Sequence, residues 1–142
     1  MNNESCYIAV KSGDYIESIF VYADGGIFET GQILLTKYKD INKINKLINL
    51  GSLYRLGENI GHQVDMRDYI KSGERKQCVA AHRDNKYPLL IDCFFTWAEF
   101  EQYIKNAKYV YLYDTEVEKW FVNVSVNNLL KVTFKELKKV LN

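Results

Sequence analysis

The chain has 142 residues, 47% of them hydrophobic, and 19 basic against 18 acidic residues leave a formal net charge of +1. That is enough for one domain burying about two-thirds of its unfolded surface, and with one proline and no low-complexity run it excludes intrinsic disorder. Near-neutrality excludes an extended basic surface for long nucleic acid, whereas a small anionic ligand needs only a few local cations.

Residues 6–10 read as a first short strand. Ser12-Gly13-Asp14 turns it into a second, which starts at Tyr15 and alternates as far as Tyr22, making a β-hairpin. Asp24-Gly25-Gly26 breaks the alternation, and glycine is expected to take positive φ there. The period then changes: Ile27, Gly31, Leu34, Leu35 and Tyr38 fall on one face of a helix. Gly31 is the odd member of that face, since glycine costs about 1 kcal/mol in a helix; close packing against a neighbouring backbone is the expected reason. Asp40 caps a second helix with Ile41, Ile44, Leu47 and Ile48 on its buried face, and Gly51 ends it. Residues 52–57 form a compact turn, and 61–73 a surface loop with a turn of helix at 66–70.

Further on, residues 77–82 read as a strand, 83–86 as a charged turn and 89–95 as another strand. Thr96 with Glu99 makes a capping box for a helix over 97–106, striped by Trp97, Phe100 and Ile104. Residues 108–113 and 119–124 form a second hairpin. Its first arm carries Tyr109, Tyr111 and Tyr113 on one face, Val110 and Leu112 on the other. Thr133 with Glu136 is again a capping box, for a final helix striped by Phe134, Leu137, Val140 and Leu141. The expected fold class is α+β: one domain over 1–126, with an antiparallel or mixed sheet of five to six strands and three to four helices. A C-terminal helical extension, 127–142, packs on it.

Cys6, Cys78 and Cys93 are odd in number, lack CxxC spacing and sit in apolar contexts, so they read as reduced, buried thiols of a cytoplasmic protein. The N-terminal residues lack a signal-peptide pattern. The longest nearly apolar stretch, 87–97, is interrupted by Asp92 and too short to cross a bilayer, so no membrane partner is expected.

Two histidines, His62 and His82, cannot assemble a zinc set with these cysteines, and no GxSxG, HExxH, Walker or GxGxxG motif is present. No catalytic residue, metal or cofactor is therefore assigned. The enzymatic alternative is metal-independent acid–base chemistry on His82, Asp84 or Glu58. Ala81-His82-Arg83-Asp84-Asn85-Lys86 is the polar constellation best suited to a ligand: Arg83 offers a planar fork for phosphate and Lys86 a point charge. Its competing reading is a solvated turn with a local Arg–Asp pair. If it is a ligand site, replacing Arg83 by alanine should abolish binding at little cost in stability. Arg55 is either a further cation or a snorkelling side chain over the core. Asp24, before two glycines, marks either a backbone anion nest or a tight turn. Tyr22, Trp120 and the triple-tyrosine strand are platforms on which a base could stack, or a subunit interface, which would make the chain a homo-oligomer.

Four blocks resemble a family of small phage and prophage proteins. Residues 19–38, IFVYADGGIFETGQILLTKY, match a strand followed by x-Asp-Gly and Gly-x-x-Leu-Leu-x-x-Tyr. Residues 47–53 with Leu56-Gly57-Glu58, residues 80–84, and residues 109–114 leading to 119–122 follow in order. The family usually has histidine where Tyr22 stands and Tyr-Pro where Gly26-Ile27 stand, so His-based catalysis is not expected at Tyr22. In size and outline the group is also similar to the anti-Thoeris sponge proteins of phages, which sequester cyclic ADP-ribose-type signals and cyclic oligonucleotides as oligomers.

That resemblance implies a phage-encoded anti-defence protein in the host cytoplasm, capturing a small cyclic or phosphorylated nucleotide signal without cleaving it. The expected ligand-binding residues are Tyr22, Asp24, Arg55, His82, Arg83 and Trp120. The alternatives are a protein-binding inhibitor or accessory protein using the tyrosine-rich surface, and a metal-independent nucleotide hydrolase or lyase.

Overall fold

A computed structural model describes residues 4–124 and 133–141. Among them one mixed sheet of eight strands and six α-helices form, the expected α+β class with more elements of both kinds.

β1 (Cys6–Ser12) and β2 (Tyr15–Val21) are the expected hairpin, in register from Cys6↔Val21 to Ser12↔Tyr15. β1 is central: its other edge pairs in parallel with β6 (Val110–Asp114), and β7 (Lys119–Val124) and β8 (Thr133–Glu136) continue outward antiparallel. The far edge of β2 is divided. Ile16 to Ser18 take β5 (Asp92–Phe94) antiparallel, while Val21 meets β3 (Leu53–Arg55) in parallel, with β4 (Val79–Ala80) beyond.

Successive side chains along β1 point to opposite faces, so each face has its own core. Cys6, Ile8 and Val10 join Ile19, Val21, Tyr111, Trp120 and Val122 in the larger. Over it pack a π-helical turn (Ile27–Gly31) running into α1 (Gln32–Lys37), then α2 (Ile41–Asn49) and the C-terminal α6 (Leu137–Leu141). Ala9, Ile16, Val110 and Leu112 build the smaller core under α5 (Trp97–Ile104), whose Phe100 and Ile104 are buried in it. The capping signals hold: the Asp40 carboxylate accepts from Asn42 N–H, and Thr96 Oγ1 accepts from Glu99 N–H while donating to that residue's carboxylate. The expected turn of helix at 66–70 is α3 (Met66–Ser72), capped by Asp65.

Several boundaries differ, each for a local reason. The expected 77–82 strand shortens to β4 because Asp84 folds back and accepts from Ala80 N–H at 2.7 Å. The charged turn is thereby the short helix α4 (Ala81–Asn85), ended by Lys86 at φ 58. The 89–95 strand shortens to β5 because Val21 and Tyr22 already pair with Leu53, so the edge that residues 89–91 would extend along is taken. Thr133 is no helix cap: residues Thr133–Glu136 add to the open edge of β7, and the helix starts at Leu137. Phe134 and Leu137 consequently pack into different cores. The expected boundary at 126/127 lies outside the described residues.

In the Asp24-Gly25-Gly26 turn it is Asp24 that takes positive φ, at 60°, and Gly26 is extended. Gly25 is needed for closeness instead, because a Cβ there would lie 2.8 Å from Cys6 Cβ and the Ser5 backbone. Gly31 faces side chains rather than a backbone, with Tyr111 Cε1 at 3.2 Å and Leu137 Cδ1 at 3.4 Å from where its Cβ would be. Cys6 and Cys78 are buried as expected, but Cys93, on β5, is exposed. No helix among the described residues is long and apolar enough to cross a membrane.

Candidate functional site

Tyr22 sits where the chain leaves β2 and β3 takes over the edge. Its N–H donates to the Leu53 carbonyl at 2.9 Å, and that of Ala23 to the Tyr54 carbonyl at 3.1 Å. This continuation sets the Tyr22 and Tyr54 rings side by side, stacked with centroids 5.5 Å apart and planes 29° apart. Tyr87 closes the other side, its ring 6.3 Å from that of Tyr54, on the segment after α4. That segment passes over Gly51, the expected helix stop. Gly51 has φ 74, and a Cβ there would lie 2.7 Å from Leu89 Cδ1, so glycine both reverses the chain and lets the segment close down.

Between the rings lies an open cleft of about 290 Å³, lined by Tyr22, Ser52, Tyr54, Ala81, Tyr87, Pro88 and Leu90. Tyr22 is 50% exposed and Tyr87 53%, unusual for rings that could have packed inward. Asn85 Nδ2 donates to the Tyr54 hydroxyl at 3.1 Å. Burial raises the Tyr54 phenol above its ordinary value; that hydrogen bond opposes the shift, while Tyr87 and Tyr22 reinforce it. His82 Nδ1 donates to the Tyr87 carbonyl at 2.8 Å, which pins the segment. The lining contains no charged side chain. Such a cleft can stack a planar ring and hydrogen-bond its edge, and it carries no nucleophile–base pair.

The other expected residues lie elsewhere. Arg83 is committed inside the fold: Nη1 donates to the Ile60 carbonyl at 2.9 Å, Nη2 to that of Cys78 at 2.9 Å, and Nε to Asp84 Oδ1 at 3.0 Å. Asp84, whose side chain is fully buried, also accepts from Val64 N–H and Ala80 N–H. Two separate stretches of chain, 60–64 and 78–80, meet on this pair, and the fork expected to hold phosphate holds backbone instead. Asp24 and Arg55 share the sheet end with Tyr22, but Asp24 lies 3.6 Å from Arg75 Nη1, and Arg55 Nη2 donates to the Glu74 carbonyl at 2.6 Å. The Nε atoms of Arg55 and Arg75 are buried without a hydrogen-bond partner. Burial lowers the Arg75 pKa; Asp24 opposes the shift and Arg55 adds to it.

Trp120 is 4% exposed and belongs to the larger core, where its Nε1 donates to the Tyr38 carbonyl at 2.8 Å. Tyr111 and Tyr113, expected on an open face, are 0% and 4% exposed. The face they occupy is the one roofed by α1, α2 and α6, so the surface that suggested a homo-oligomer is interior.

Of the expected residues Tyr22 lines the cleft, His82 holds the lining residue Tyr87 by its carbonyl, Asp24 and Arg55 are chain neighbours of Tyr22 and Tyr54, and Arg83 and Trp120 stand apart. Tyr54 and Tyr87 complete it and were not anticipated. The available signal was Tyr54's place between Leu53 and Arg55, where strand alternation turns it from the core. Among the described residues no cluster of His, Cys, Asp or Glu could hold a metal ion. Comparison with family models, curated proteins and solved structures finds no match for this chain.

Proposed function

We propose that the chain is a non-enzymatic binder of a small nucleotide-like ligand, whose base stacks in the cleft formed by Tyr22, Tyr54 and Tyr87. The observation that carries this reading is the half-exposed Tyr22 ring, stacked on Tyr54 beside an uncharged cleft of about 290 Å³ whose other side is the half-exposed Tyr87. Base–aromatic stacking contributes about 1–3 kcal/mol per base and needs no catalytic group. The Tyr54 hydroxyl, which accepts from Asn85, supplies a hydrogen-bonding group on a lining residue for a base edge. Capture of a phage-defence signal, implied by the sequence resemblance, is the setting in which such stoichiometric binding is useful.

The test is to incubate the purified chain with a panel of cyclic mono- and dinucleotides and cyclic ADP-ribose, remove free ligand, and heat. Intact nucleotide released on heating supports capture; an altered product points to a hydrolase or lyase; no uptake by the chain, with Tyr22→Ala indistinguishable from it, sinks the reading. A second reading, docking of a protein, is favoured by one observation: Tyr87, Leu89 and Leu90 expose 53%, 49% and 56% of their surface side by side with Tyr22.

A further inference from the structure

A second cleft lies further along the sheet order, lined from β6, β7 and β8, with β1 between these strands and the β2–β3 end that carries the tyrosine cleft. It opens where α1, β7 and the β8–α6 junction meet, and it holds about 310 Å³. Its apolar floor is Leu35 with the edges of Tyr113 and Trp120. The floor is rigid, because Trp120 is anchored through Nε1 to Tyr38 and packs edge-on to Tyr113 at 5.2 Å.

The rim is charged. Lys39, Lys119 and Lys138 stand around it with Glu118 and Glu136. The Glu136 carboxylate is already matched on both oxygens, Oε1 by Lys119 and Oε2 by Lys139, each at 3.6 Å. Lys39 and Lys138 have no ion-pair partner among the described residues. Glu118 and Glu136 oppose three lysines in the lining, and Lys139 outside it takes one oxygen of Glu136, so positive charge is in excess around the apolar floor.

An apolar floor under surplus ammonium groups is complementary to a small organic anion, and the size is at the low end for small-molecule sites. Ammonium groups on flexible stems act as point charges, suited to the several oxygens of a phosphate in varied orientations. The geometry points to a second ligand site, one for a small organic phosphate. Its phosphate groups are held by Lys39 and Lys138, and its apolar body covers Leu35 and the Trp120 edge. The site does not depend on the tyrosine cleft. It is assembled only when the C-terminal strand and helix are docked, since they supply Glu136 and Lys138.

Trp120 is the natural reporter, and Trp97→Phe leaves it the sole indole. In that background ADP and inorganic pyrophosphate should each change Trp120 emission. ADP should bind at least about threefold tighter than pyrophosphate, because only it has a body to cover the floor. Lys39→Gln with Lys138→Gln, both exposed, should weaken both ligands by about tenfold or more. Calorimetry on the unsubstituted chain makes the same measurement should Trp97→Phe fail to fold. The proposal is overturned by no binding of either probe at millimolar concentration. Unchanged affinity in the lysine variant, or equal affinity for ADP and pyrophosphate, would overturn it equally.

Discussion

Two groups of tyrosines in this molecule meet opposite fates. Tyr38 and Tyr111, in the larger core, are fully buried, and each hydroxyl has a backbone acceptor inside: Gly57 O for Tyr38 and Gly25 O for Tyr111, at 2.7 and 2.6 Å. Tyr22, Tyr54 and Tyr87 gather at the end of the same sheet and leave their rings on an open cleft. The difference is not composition but what lies opposite. On the closed side α1, α2 and α6 roof the strands, and glycine carbonyls receive the phenols. On the open side, past the end of β2, the short α4 contributes Ala81 to the cleft and Asn85 to the Tyr54 hydroxyl but does not cover the rings, and Tyr22 and Tyr87 stay half-exposed. A tyrosine with a buried acceptor is part of the fold; a tyrosine stacked on a tyrosine at the rim is free to bind.

Breaking the support of the open side should have the largest effect. Arg83→Ala leaves the buried Asp84 carboxylate without its cation and releases the contacts to Ile60 and Cys78, so a loss of about 3–5 kcal/mol is expected in urea unfolding. A loss below about 1 kcal/mol would show the pair to behave as the exposed turn that the sequence suggested.

Leu34→Ala attacks the closed side. Leu34 is wholly buried on α1, and its truncation should cost about 2–5 kcal/mol; an unchanged thermal midpoint would contradict the assigned helix face.

The closed tyrosines also make a pH signature. Burial holds the Tyr38 and Tyr111 phenols well above the ordinary value of 10.0. Below that pH the folded and unfolded chains are equally protonated and the contribution is constant. Above it only the unfolded chain ionises, so stability should fall by about 1.4 kcal/mol per pH unit for each such phenol. Tyr111→Phe should remove one such slope while costing about 1 kcal/mol at neutral pH through the lost bond to Gly25 O. Equal alkaline slopes in urea titrations of the two proteins would refute it.

Smallest in stability, and sharpest for function, is Tyr22→Ala. With half its surface exposed, its removal should change the midpoint by no more than about 0.5 kcal/mol while abolishing uptake of the nucleotide panel. A large loss of stability would place Tyr22 with the closed group.

Much of the fold was legible because its signals are local. The Gly13 hairpin, the Asp40 and Thr96 caps, and the Ile27-Gly31-Leu34-Tyr38 face depend on residues a turn or less apart. What failed depends on distant partners. Nothing near residues 89–91 tells that Leu53 already holds the edge of β2, and nothing near Thr133 tells that β7 offers one. For the site, the exposed or buried fate of Tyr22 and Tyr111 is invisible to alternation, which names a face but not what covers it. Arg83 was misjudged for the same reason, since its carbonyl acceptors at Ile60 and Cys78 lie in chain that alternation cannot bring to it.

The parallel pairing of β1 with β6 bears on how the chain is made. Tyr7 aligns with Val110 and Lys11 with Asp114, so the partner of the central strand is synthesised some hundred residues after it. During translation β1 has only its hairpin mate, and an apolar edge stays unpaired until β6 leaves the ribosome. Chains stopped before Val110 keep that edge and lack the strand that closes it. Premature termination is therefore expected to yield sticky fragments, not a smaller working domain.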